Sequence, residues 1–532
     1  MERGSVASRI VPSIGDALFL TVFIWALYKG AGLLNDGDTG WHIVTGGLIL
    51  GGGSIPRSDP FSYTMPGIPW TAHEWLSEVI FAKVHSLAGL NGVVVLSVSV
   101  IALTFFFLYR YMTRSATAPL AAALLTAVAA GAAALHWLAR PHVFSLPMTL
   151  AFYAILDSHQ RGGKNRLMLL PLLMALWVNL HAGYILGLML VSAYLAGNAL
   201  LYYIYPAQRD EYKGKLKGLG LAALLTVAAT SLNPHGPAIL YFPFHLVGRT
   251  YIMDNVLEWL SPNFHDNRSF ELMLLLYASV FALSRKRPDI FEGMLALMLA
   301  HMSLYSARYI PLMALVVTPM AAARAGGILG PAAEAAPEGV LKRVAARLKK
   351  VSDDVAGVEA LLLPGAWPAA AVAASLAICL TGGTAFGHKV FDYRHDPKKF
   401  PVAALDFALK NGINGRMFNN DGWGGYIIYK SYPRSKVFFD GRSDMYGVEF
   451  LREYIEVARA GPGLEKVLDK YGVEWVLYNS GAPLTRLLAA DGRWRLVYSD
   501  GTADILLRDT PGNRPLIEKY RNARFVKPDA PA

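Results

Sequence analysis

The stretch SIGDALFLTVFIWALYKGAGLL at positions 13–34 runs directly into NDGDTGWH at positions 35–42. As a helix, the first stretch is long and apolar enough to cross a hydrocarbon core about 30 Å thick. The second stretch places Asp36 and Asp38, separated by one glycine, where the chain leaves the lipid. A membrane-spanning helix followed at once by an acidic loop decides both the predicted fold and the predicted site.

The composition of the whole chain is that of an integral membrane protein. Of its 532 residues, 54% are hydrophobic and only 17% are charged, and the mean hydropathy is +0.34. This balance excludes an ordinary soluble protein of the same length. The single cysteine, Cys379, lies within an apolar run, which excludes a disulfide framework and a thiolate metal site and favours a buried structural thiol.

The formal net charge of +11 is spread over segments between the apolar runs and does not form one patch. Short basic connections of this kind are typical of the cytoplasmic side of a membrane protein. Topology therefore explains the charge, and a nucleic-acid partner is not predicted. The first apolar run is long and lacks a small-residue cleavage site, so we interpret it as an uncleaved anchor with a cytoplasmic N-terminus.

The apolar runs predict an α-helical polytopic membrane protein with about 11 transmembrane helices. The predicted spans cover residues 13–34, 91–109, 116–137, 141–157, 166–181, 182–204, 216–232, 269–284, 289–306, 308–323 and 366–384. An odd number of spans leaves the C-terminal segment on the outside of a plasma or inner membrane. The predicted domains are thus a transmembrane domain at 1–384, with an outer loop at 35–90 and a cytoplasmic linker at 324–365, and an extracytoplasmic domain at 385–532.

The extracytoplasmic segment is predicted to be a small α/β domain, because short β-type runs alternate with helical patterns. The β-type runs are YIIY at 426–429, KVFF at 436–439 and EWVLY at 474–478, and the helical patterns lie at 401–410 and 447–459. Residues 521–532 are predicted to be a disordered tail. The outer loop carries two runs with apolar faces, at 39–50 and 71–89, which predict helices lying at the membrane interface.

Polar residues collect at the predicted outer ends of the spans. They are Asp36, Asp38, His42, Asp59, His73 and Glu74 in the outer loop, and Arg140, His142, Asn179, His181, Asn233, His235 and Arg308 in later connections. The segment NVLEWLSP at 255–262 belongs to the same face. Polar groups at membrane depth are costly, so they are either paired structurally or line a functional cavity. Their delivery to one face by several segments favours a cavity.

Each of these residues also has a structural explanation. Asp38 could N-cap the helix that begins near Thr39, and Glu74 could bond back to Thr71 in a capping box. The arginines could extend towards lipid headgroups. The histidines are better explained as hydrogen-bonding loop residues than as metal ligands, because no pair has the spacing of a helical metal site. Capping does not account for Asp36, which has no helix of its own to start.

An aspartate pair in a loop against an apolar wall suits two kinds of chemistry. One carboxylate can act as a general base for a hydroxyl or amine acceptor. Alternatively, Asp36 and Asp38 can bind a divalent cation, Mg²⁺ or Mn²⁺, together with a phosphate. Arg140 and Arg308 opposite the pair would stabilise a leaving phosphate. The chain contains no Walker loop and no dinucleotide fingerprint, so we expect a lipid-carried donor rather than a nucleotide.

Several strings and the overall layout resemble one superfamily of membrane enzymes. The strings are DGDTGWH at 36–42, PFSYT at 60–64, HEWL at 73–76, RPHVFS at 140–145 and NLHAG at 179–183. They are similar to strings in bacterial membrane glycosyltransferases of the GT-C superfamily, which includes protein O-mannosyltransferases, lipid A aminoarabinose transferases and oligosaccharyltransferase catalytic subunits. The likeness in layout covers the whole chain: an acidic motif after the first span, a long first outer loop and an outer C-terminal domain.

The resemblance implies a function and a site. It implies that a membrane-embedded polyprenyl-phosphate sugar is the donor and that the acceptor, a protein, a glycan or a lipid, lies on the outer face. Asp38 or Asp36 would be the catalytic base or a metal ligand, and Asp38 is preferred because Asp36 follows the span more closely. The donor-phosphate role of Arg140 and Arg308 rests on their location.

The C-terminal domain carries a further, fainter likeness. NNDGWGGYIIY at 419–429 is similar to the region of oligosaccharyltransferases that contacts the acceptor, although a glycine-rich turn before a strand also explains it. In the string DGRSD, Asp440, Arg442 and Asp444 are candidates for facing the cavity, or form a local turn with an arginine pair. Two other functions stay open: a transporter or flippase for a lipid-linked or anionic solute, and a non-catalytic membrane assembly protein.

Overall fold

The structure is a computed structural model that describes residues 6–115, 117–247, 259–335 and 339–527. The part before residue 381 is a bundle of helices. They are α1 (Val6–Ile10), α2 (Ile14–Tyr28), α3 (Asp38–Gly52), α4 (Trp75–Arg114), α5 (Pro119–Ala133), α6 (Ser145–Gln160), α7 (Leu169–Leu180), α8 (Tyr184–Ile204), α9 (Arg209–Thr230), α10 (Phe242–Val247), α11 (Arg268–Leu283), α12 (Ile290–Tyr305), α13 (Ile310–Ala335), α14 (Val340–Glu359) and α15 (Ala366–Leu380).

Each predicted span coincides with one of these helices. Four helices within the described ranges are long and apolar enough to cross a membrane: Ser8–Tyr28, Trp75–Arg114, Pro119–His136 and Tyr184–Ile204. A bent pair, Lys342–Leu361 with Ala366–Leu380, would be a fifth if it forms one span. The chain is therefore a multi-pass membrane protein. The larger number of spans stays a prediction, since helices such as α7 and α12 are shorter.

The two predicted interfacial helices of the first loop, residues 35–90, are α3 and the first part of α4. Helix α4 changes direction at Gly89, whose φ of 59° and ψ of −157° lie outside the helical region. A glycine adopts this left-handed φ without the steric cost that a side chain would add. Before Gly89 the helix packs against α3, where Gly46 approaches the Glu78 carbonyl so closely that a Cβ would not fit. The first loop is thus an ordered platform.

The C-terminal domain combines helices with a small sheet. Its elements are α16 (Val402–Lys410), α17 (Gly424–Ser431), α18 (Ser443–Ala458), α19 (Leu464–Lys470), α20 (Pro483–Asp491) and α21 (Arg514–Lys519), with a hairpin of β1 (Thr384–Ala385) and β2 (His388–Lys389) and a sheet of β3 (Met417–Asn419), β4 (Trp475–Asn479), β5 (Trp494–Ser499) and β6 (Ala503–Arg508). The sheet order is β3-β4-β6-β5. Strands β3 and β4 are parallel, and the other neighbours are antiparallel.

Two of the three predicted β-type runs of this domain do not lie in the sheet. EWVLY forms β4, as predicted, but YIIY lies in helix α17. All residues from Gly424 to Ile428 are buried, so the run is apolar on every side and has no periodicity that separates a helix from a strand. KVFF is extended, but its Val437 bridges to Ser62 of the first loop instead of joining the sheet.

The first loop and the C-terminal domain share one hydrophobic core. Trp41, Phe61 and Trp70 of the loop pack with Trp423 and Ile427 of the domain. The backbone N–H of Val437 donates to the Phe61 carbonyl at 3.1 Å, and the Thr64 hydroxyl donates to the Phe438 carbonyl at 2.7 Å. The two segments therefore form a single body at one end of the bundle, which we call the loop end.

The segments predicted as a cytoplasmic linker and as a C-terminal tail are described in part. Helix α13 continues through the first part of the predicted linker as far as Ala335, and α14 occupies much of the rest, while residues 336–338 lie outside the described residues. In the predicted tail, the Val526 N–H donates to the Ser499 hydroxyl at 2.9 Å. Residues 521–527 thus make at least one contact with β5, and residues 528–532 lie outside the described part of the chain.

Candidate active site

A cavity of about 720 Å³ lies between the loop end of the bundle and the C-terminal domain. Ten of the residues predicted from the sequence line it: Asp36, Asp38, His73, Glu74, Arg140, His181, Arg308, Asp440, Arg442 and Asp444. They come from five separate places in the bundle and from residues 440–444 around the start of α18. The segment 255–262, also predicted to face this side, is described only from Trp259 onwards, and Trp259 lines the cavity.

The two carboxylates of the acidic turn make different contacts: Asp36 bonds to the backbone, and Asp38 lies against the C-terminal domain. Helix α3 begins at Asp38, and the Asp36 carboxylate accepts a hydrogen bond from the Asp38 N–H at 2.9 Å. Asp36, not Asp38, thus satisfies a backbone donor at the helix start, contrary to the capping explanation from the sequence. The Asp38 carboxylate lies against Gly441 of the C-terminal domain, where a Cβ would collide with it.

Arg140 binds both carboxylates of the turn. Its Nη1 lies 2.5 Å from Asp36 Oδ2, and its Nη2 lies 3.0 Å from Asp38 Oδ2. The backbone of Arg140 is extended, as expected for a residue before proline, and this directs the chain into the 3₁₀ turn Pro141–Phe144. The expectation that Arg140 faces the acidic pair from across the site is therefore corrected, because Arg140 joins the pair in one cluster.

Arg308 occupies a different part of the cavity wall. It lies in the 3₁₀ turn Ala307–Tyr309 at the start of α13, and its guanidinium stacks on Trp259 with 4.1 Å between Cζ and the ring centroid. The turn is fixed by the Ala307 N–H, which donates to the Leu260 carbonyl at 3.1 Å. Within the described ranges no carboxylate lies within 4 Å of Arg308. Its N–H groups are therefore the better placed of the two arginines to bind an anion.

Glu74 is surrounded by three imidazoles. Its Oε1 lies 3.5 Å from His73 Nε2 and 3.5 Å from His181 Nε2, and its Oε2 lies 3.7 Å from His42 Nε2. Glu74 occupies the N-cap position of α4 but makes no side-chain capping bond, so the predicted capping box with Thr71 does not form. The carboxylate instead faces the histidines because they provide buried partners for its charge.

The pKa values of Glu74, His73 and His42 show which of these three side chains are charged at neutral pH. Burial lowers the pKa of His73, but the Glu74 carboxylate outweighs it and raises that pKa to about 9. Burial raises the pKa of Glu74, and the His73 charge and hydrogen bond more than reverse this, so that it lies well below its usual value. Burial lowers the pKa of His42 to about 3. At neutral pH, Glu74 and His73 form an ion pair beside an uncharged His42.

The proton of His181 is placed by its neighbours. Its Nδ1 accepts the N–H of Gly183 at 3.0 Å and lies 2.7 Å from the Ser145 hydroxyl oxygen. That oxygen accepts the Trp177 Nε1–H at 2.8 Å, which leaves its own proton for His181. Nδ1 is therefore an acceptor, and the ring carries its proton on Nε2, directed at Glu74.

Asn179 and Asn233, predicted as cavity residues, instead support the loops behind it. Asn179 Oδ1 accepts the Trp75 Nε1–H at 2.6 Å. Asn233 Nδ2 donates to the Val178 carbonyl at 3.0 Å, and its Oδ1 accepts the His235 N–H at 3.0 Å. Their amide groups are occupied by backbone and indole partners, so neither faces the cavity.

Three predicted histidines also lie outside the lining. His142 donates from Nε2 to the His136 carbonyl at 3.0 Å. His42 lies one layer behind the wall, where its Nδ1 is 3.3 Å from Glu78 Oε1. His235 is half-buried on the loop that Asn233 holds. Polar residues near a membrane boundary thus include many that serve loop structure, and the sequence does not separate them from the lining.

The C-terminal candidates form a clamp onto the first loop. Asp440 accepts from Arg442 Nε at 2.8 Å and Nη2 at 2.7 Å and from the Tyr446 hydroxyl at 2.9 Å. Arg442 Nη2 also lies 2.7 Å from Asp59 Oδ1 of the loop. Both explanations from the sequence therefore apply to Arg442, which pairs locally and also lines the cavity. Burial raises the pKa of Asp444, at the start of α18.

Other lining residues were not predicted. They include two acidic and four aromatic residues: Glu78, Asp421, Trp41, Trp70, Phe242 and Tyr454. Glu78 follows Glu74 by one helical turn, a spacing that puts both on one face of α4. Asp421 reaches the cavity because Gly37 packs so closely on Gly422 that a Cβ would come within 2.6 Å of its carbonyl oxygen. In the sequence, the spacing of Glu74 and Glu78 and the glycines around Asp421 were the features from which these lining residues could have been predicted.

The acidic turn also bears on metal binding. Among the described residues, no group of three or more His, Cys, Asp or Glu side chains is arranged to hold a metal ion. Asp36 and Asp38 supply two carboxylates, and Arg140 contacts both. Two carboxylates are a set that Mg²⁺ uses when a substrate phosphate supplies further ligands. The pair therefore fits a cation that binds together with a phosphate better than one held by protein groups alone.

Apolar membrane helices, an acidic turn after the first of them and a C-terminal domain over a cavity define a polytopic membrane fold. The structure is similar to that of the archaeal oligosaccharyltransferase AglB from Archaeoglobus fulgidus in complex with an inhibitory peptide and a dolichol-phosphate, with a TM-score of 0.54 and 11% identity over 87% of this chain and 69% of that chain.

Two further structures are similar. The apo form of the Archaeoglobus fulgidus oligosaccharyltransferase has a TM-score of 0.49 and 11% identity, covering 93% of this chain and 74% of that one. ArnT from Cupriavidus metallidurans in the apo state has a TM-score of 0.41 and 15% identity, covering 92% and 96%. No family model matches the sequence, and no curated protein sequence matches it. The likeness to AglB establishes a shared fold and not a shared activity.

Proposed function

We propose that this chain is a glycosyltransferase that moves a sugar from a polyprenyl-phosphate donor to an acceptor on the outer face of a cell membrane. The observation that carries the proposal is that one cavity at the loop end is lined by both Asp38 and Arg308. A proton acceptor and an anion-binding group in one cavity at a membrane boundary are the two parts that such a transfer needs.

In the proposed reaction, Asp38 accepts the proton of the acceptor hydroxyl or amine while that atom bonds to the anomeric carbon of the sugar. The bond from the anomeric carbon to the phosphate oxygen breaks, and its electron pair stays on the polyprenyl phosphate. The Arg308 guanidinium, held flat against Trp259, donates hydrogen bonds to that phosphate. Arg140 fixes the Asp38 carboxylate and keeps Asp36 in place.

A divalent cation, Mg²⁺ or Mn²⁺, would be held by Asp36 and Asp38, and it would neutralise charge on the leaving phosphate. The surrounding residues contribute separately to the reaction. The ion pair of Glu74 with His73 holds the cavity wall at the start of α4, and the aromatic residues exclude water from the reacting groups. The proposed reaction requires only that the acceptor carry a hydroxyl or an amine.

The test uses the full chain in nanodiscs with undecaprenyl-phospho-hexoses as donors and cell membranes lacking the chain as the source of acceptor. The proposal expects release of undecaprenyl phosphate with transfer of the hexose. Arg308→Gln should weaken donor binding about tenfold or more, because a hydrogen bond to a charged group contributes about 1.5–3 kcal/mol. The matched control is Arg209→Gln, at the exposed start of α9.

The alternatives give different results in the same assay. A flippase would move the lipid-linked hexose across the bilayer without breaking its phosphate bond, and an assembly protein would leave the donor unchanged. Donor cleavage that is equal in wild type and Arg308→Gln would contradict the assignment of Arg308. A chelator that stops transfer, reversed by Mg²⁺ or Mn²⁺, would support the cation, and transfer in its presence would remove it.

A further inference from the structure

One wall of the cavity holds polar atoms that the protein itself does not satisfy. Trp41 Nε1, Glu78 Oε2 and Arg442 Nη1 are buried and have no hydrogen-bond partner among the described residues. The three residues are 6%, 1% and 2% exposed, and all of them line the cavity. Buried polar groups are nearly always hydrogen-bonded in native proteins, so three unpaired ones on one wall require an explanation.

Ring contacts connect the three residues into one surface. The Trp41 and Trp70 rings meet edge to face with centroids 5.9 Å apart, and Arg442 Cζ lies 4.7 Å from the Trp70 centroid. On the other side, the His42 ring lies 3.6 Å from the Trp41 ring. Its Nδ1 contacts the second oxygen of Glu78, Oε1, at 3.3 Å. The unpaired atoms are therefore carried by neighbouring side chains.

The chemistry of this wall favours a neutral ligand over an anion. Arg442 Nη2 already lies 2.7 Å from both the Asp59 and the Asp440 carboxylate, so two negative charges balance its positive charge. What the wall offers is two N–H donors, one carboxyl oxygen and two indole rings. Hydroxyl groups both donate and accept hydrogen bonds. A sugar ring presents several hydroxyls and an apolar C–H face to such a wall.

We propose that Trp41, Glu78 and Arg442 form a sugar-recognition subsite in which their unpaired atoms bind hydroxyl groups of a pyranose ring. The proposal rests on the function proposed above, since it supplies the means by which that site would select its sugar. The ring belongs either to the lipid-linked donor or to an acceptor glycan. Because the same hydrogen bonds recognise both, the test must separate these sources.

The chain contains a matched control for this proposal. Trp494 Nε1 is also buried and unpaired among the described residues, but Trp494 lies in β5 within the core of the C-terminal domain and does not line the cavity. A Trp→Phe change at either position removes one N–H and keeps an aromatic ring. Since neither N–H bonds to a described protein group, both variants should keep the thermal unfolding midpoint of the wild type.

The experiment measures binding to the full chain in nanodiscs. The probes are undecaprenyl phosphate, undecaprenyl phosphate carrying glucose, galactose or mannose, and the three methyl hexosides in the presence of saturating undecaprenyl phosphate. Trp41→Phe should weaken the best sugar probe about tenfold, the effect of one well-made hydrogen bond. Undecaprenyl phosphate alone should bind as in the wild type, and Trp494→Phe should bind every probe as the wild type does. Glu78→Gln provides a second variant that keeps the size of the side chain.

The outcomes are separable. Weakening confined to the lipid-linked hexoses assigns the subsite to the donor, and weakening confined to the methyl hexosides assigns it to an acceptor glycan. The subsite is overturned if Trp41→Phe and Glu78→Gln bind all probes as tightly as the wild type, or if no sugar improves on undecaprenyl phosphate. Hexoside binding that depends on Trp41, with no transfer from any lipid donor, would instead overturn the glycosyltransferase and keep the subsite.

Discussion

Two clusters of acidic residues around an arginine lie in different parts of the bundle. At the loop end, Arg140 bridges Asp36 and Asp38, with its nitrogens 2.5 Å and 3.0 Å from their oxygens. In the second, Arg161 bridges Asp157 and Glu292, with distances of 2.8 Å and 3.4 Å. We call these the cavity cluster and the closed cluster. Their local chemistry is almost the same.

Their surroundings differ. The closed cluster is completed by Arg324, which is 0% exposed and donates to Glu292 Oε1 at 2.8 Å and to the Met320 carbonyl at 3.0 Å. Phe281 covers the Arg324 guanidinium at 4.7 Å from the ring centroid. The cavity cluster instead opens onto a space of about 720 Å³. The Arg161 side chain of the closed cluster is 41% exposed but does not line that cavity. A surrounding cavity, rather than charge or exposure alone, is therefore what distinguishes the candidate site from the structural network.

The largest expected effect is the loss of transfer in Asp38→Asn. Removing a general base lowers the rate by roughly 10²–10⁴-fold. The amide keeps an oxygen for Arg140, so the unfolding midpoint should change little. The rate of hexose transfer per folded molecule and thermal unfolding are measured side by side. Wild-type turnover in Asp38→Asn would remove this residue from the mechanism.

The closed cluster should show the opposite pattern. Arg324→Met leaves the buried Glu292 carboxylate without its closest partner, and breaking a buried ion pair costs about 3–5 kcal/mol of unfolding free energy. The rate per folded molecule should stay at the wild-type value. Unfolding in a denaturing detergent measures the unfolding free energy, and the transfer assay measures the rate per folded molecule.

The control for that variant removes both charges. Arg324→Met combined with Glu292→Leu leaves neither partner of the pair unpaired, so much of the lost stability should return. If the double variant were as unstable as the single one, the loss would come from packing around Arg324 and not from the unpaired carboxylate. A fall in the rate per folded molecule would show that the two clusters are not independent.

The sequence predicted the helices well and the cavity in part. Long apolar runs specify membrane helices almost alone, so all predicted spans coincide with helices. The acidic turn was found because Asp36 and Asp38 follow directly on an apolar run. The closed cluster was missed, because Asp157 and Glu292 are isolated charges in separate helices and only packing brings them to one arginine.

Side-chain direction was the part that the sequence could not supply. Asn179 and Glu74 both stand beside predicted spans, yet one supports a loop and the other faces the cavity. The C-terminal contribution depends on the contact of Gly37 with Gly422, residues separated by most of the chain. The secondary structure of short apolar runs such as YIIY is also ambiguous, since burial on all sides removes the hydrophobic periodicity that separates a helix from a strand.

The ion pair of Glu74 with His73, which lines the same cavity as the cavity cluster, should make stability depend on pH. The pKa of His73 is raised from 6.5 to about 9 by its pairing with Glu74, so the pairing stabilises the fold fully below pH 6.5 and is lost as the pH rises through 9. The expected loss of unfolding free energy is roughly 3 kcal/mol. The carboxylates of the closed cluster pair with Arg161 and Arg324 rather than with a histidine. The loss of stability is measured from the thermal unfolding midpoints of the wild type between pH 6.5 and 9.5.

The variant that sharpens this prediction is His73→Gln, which cannot hold the charge. Its stability should be lower than that of the wild type at pH 6.5 and should approach it at pH 9.5. Arg324→Met should instead be shifted by the same amount throughout the range. A wild-type midpoint that does not fall between pH 6.5 and 9.5 would contradict the charged pairing of His73 with Glu74.

The smallest effect compares the helix caps beside the two clusters. Asp36 accepts the N–H of Asp38 at 2.9 Å, and Asp289 accepts the N–H of Glu292 at 2.9 Å at the start of α12. Replacing either aspartate by alanine should cost about 1 kcal/mol of unfolding free energy, and asparagine should restore most of it because it caps equally well. Only Asp36→Ala should also slow transfer, since Asp36 helps Arg140 to hold Asp38. Equal slowing in Asp289→Ala would mean that the acidic turn contributes to the rate only through general stability.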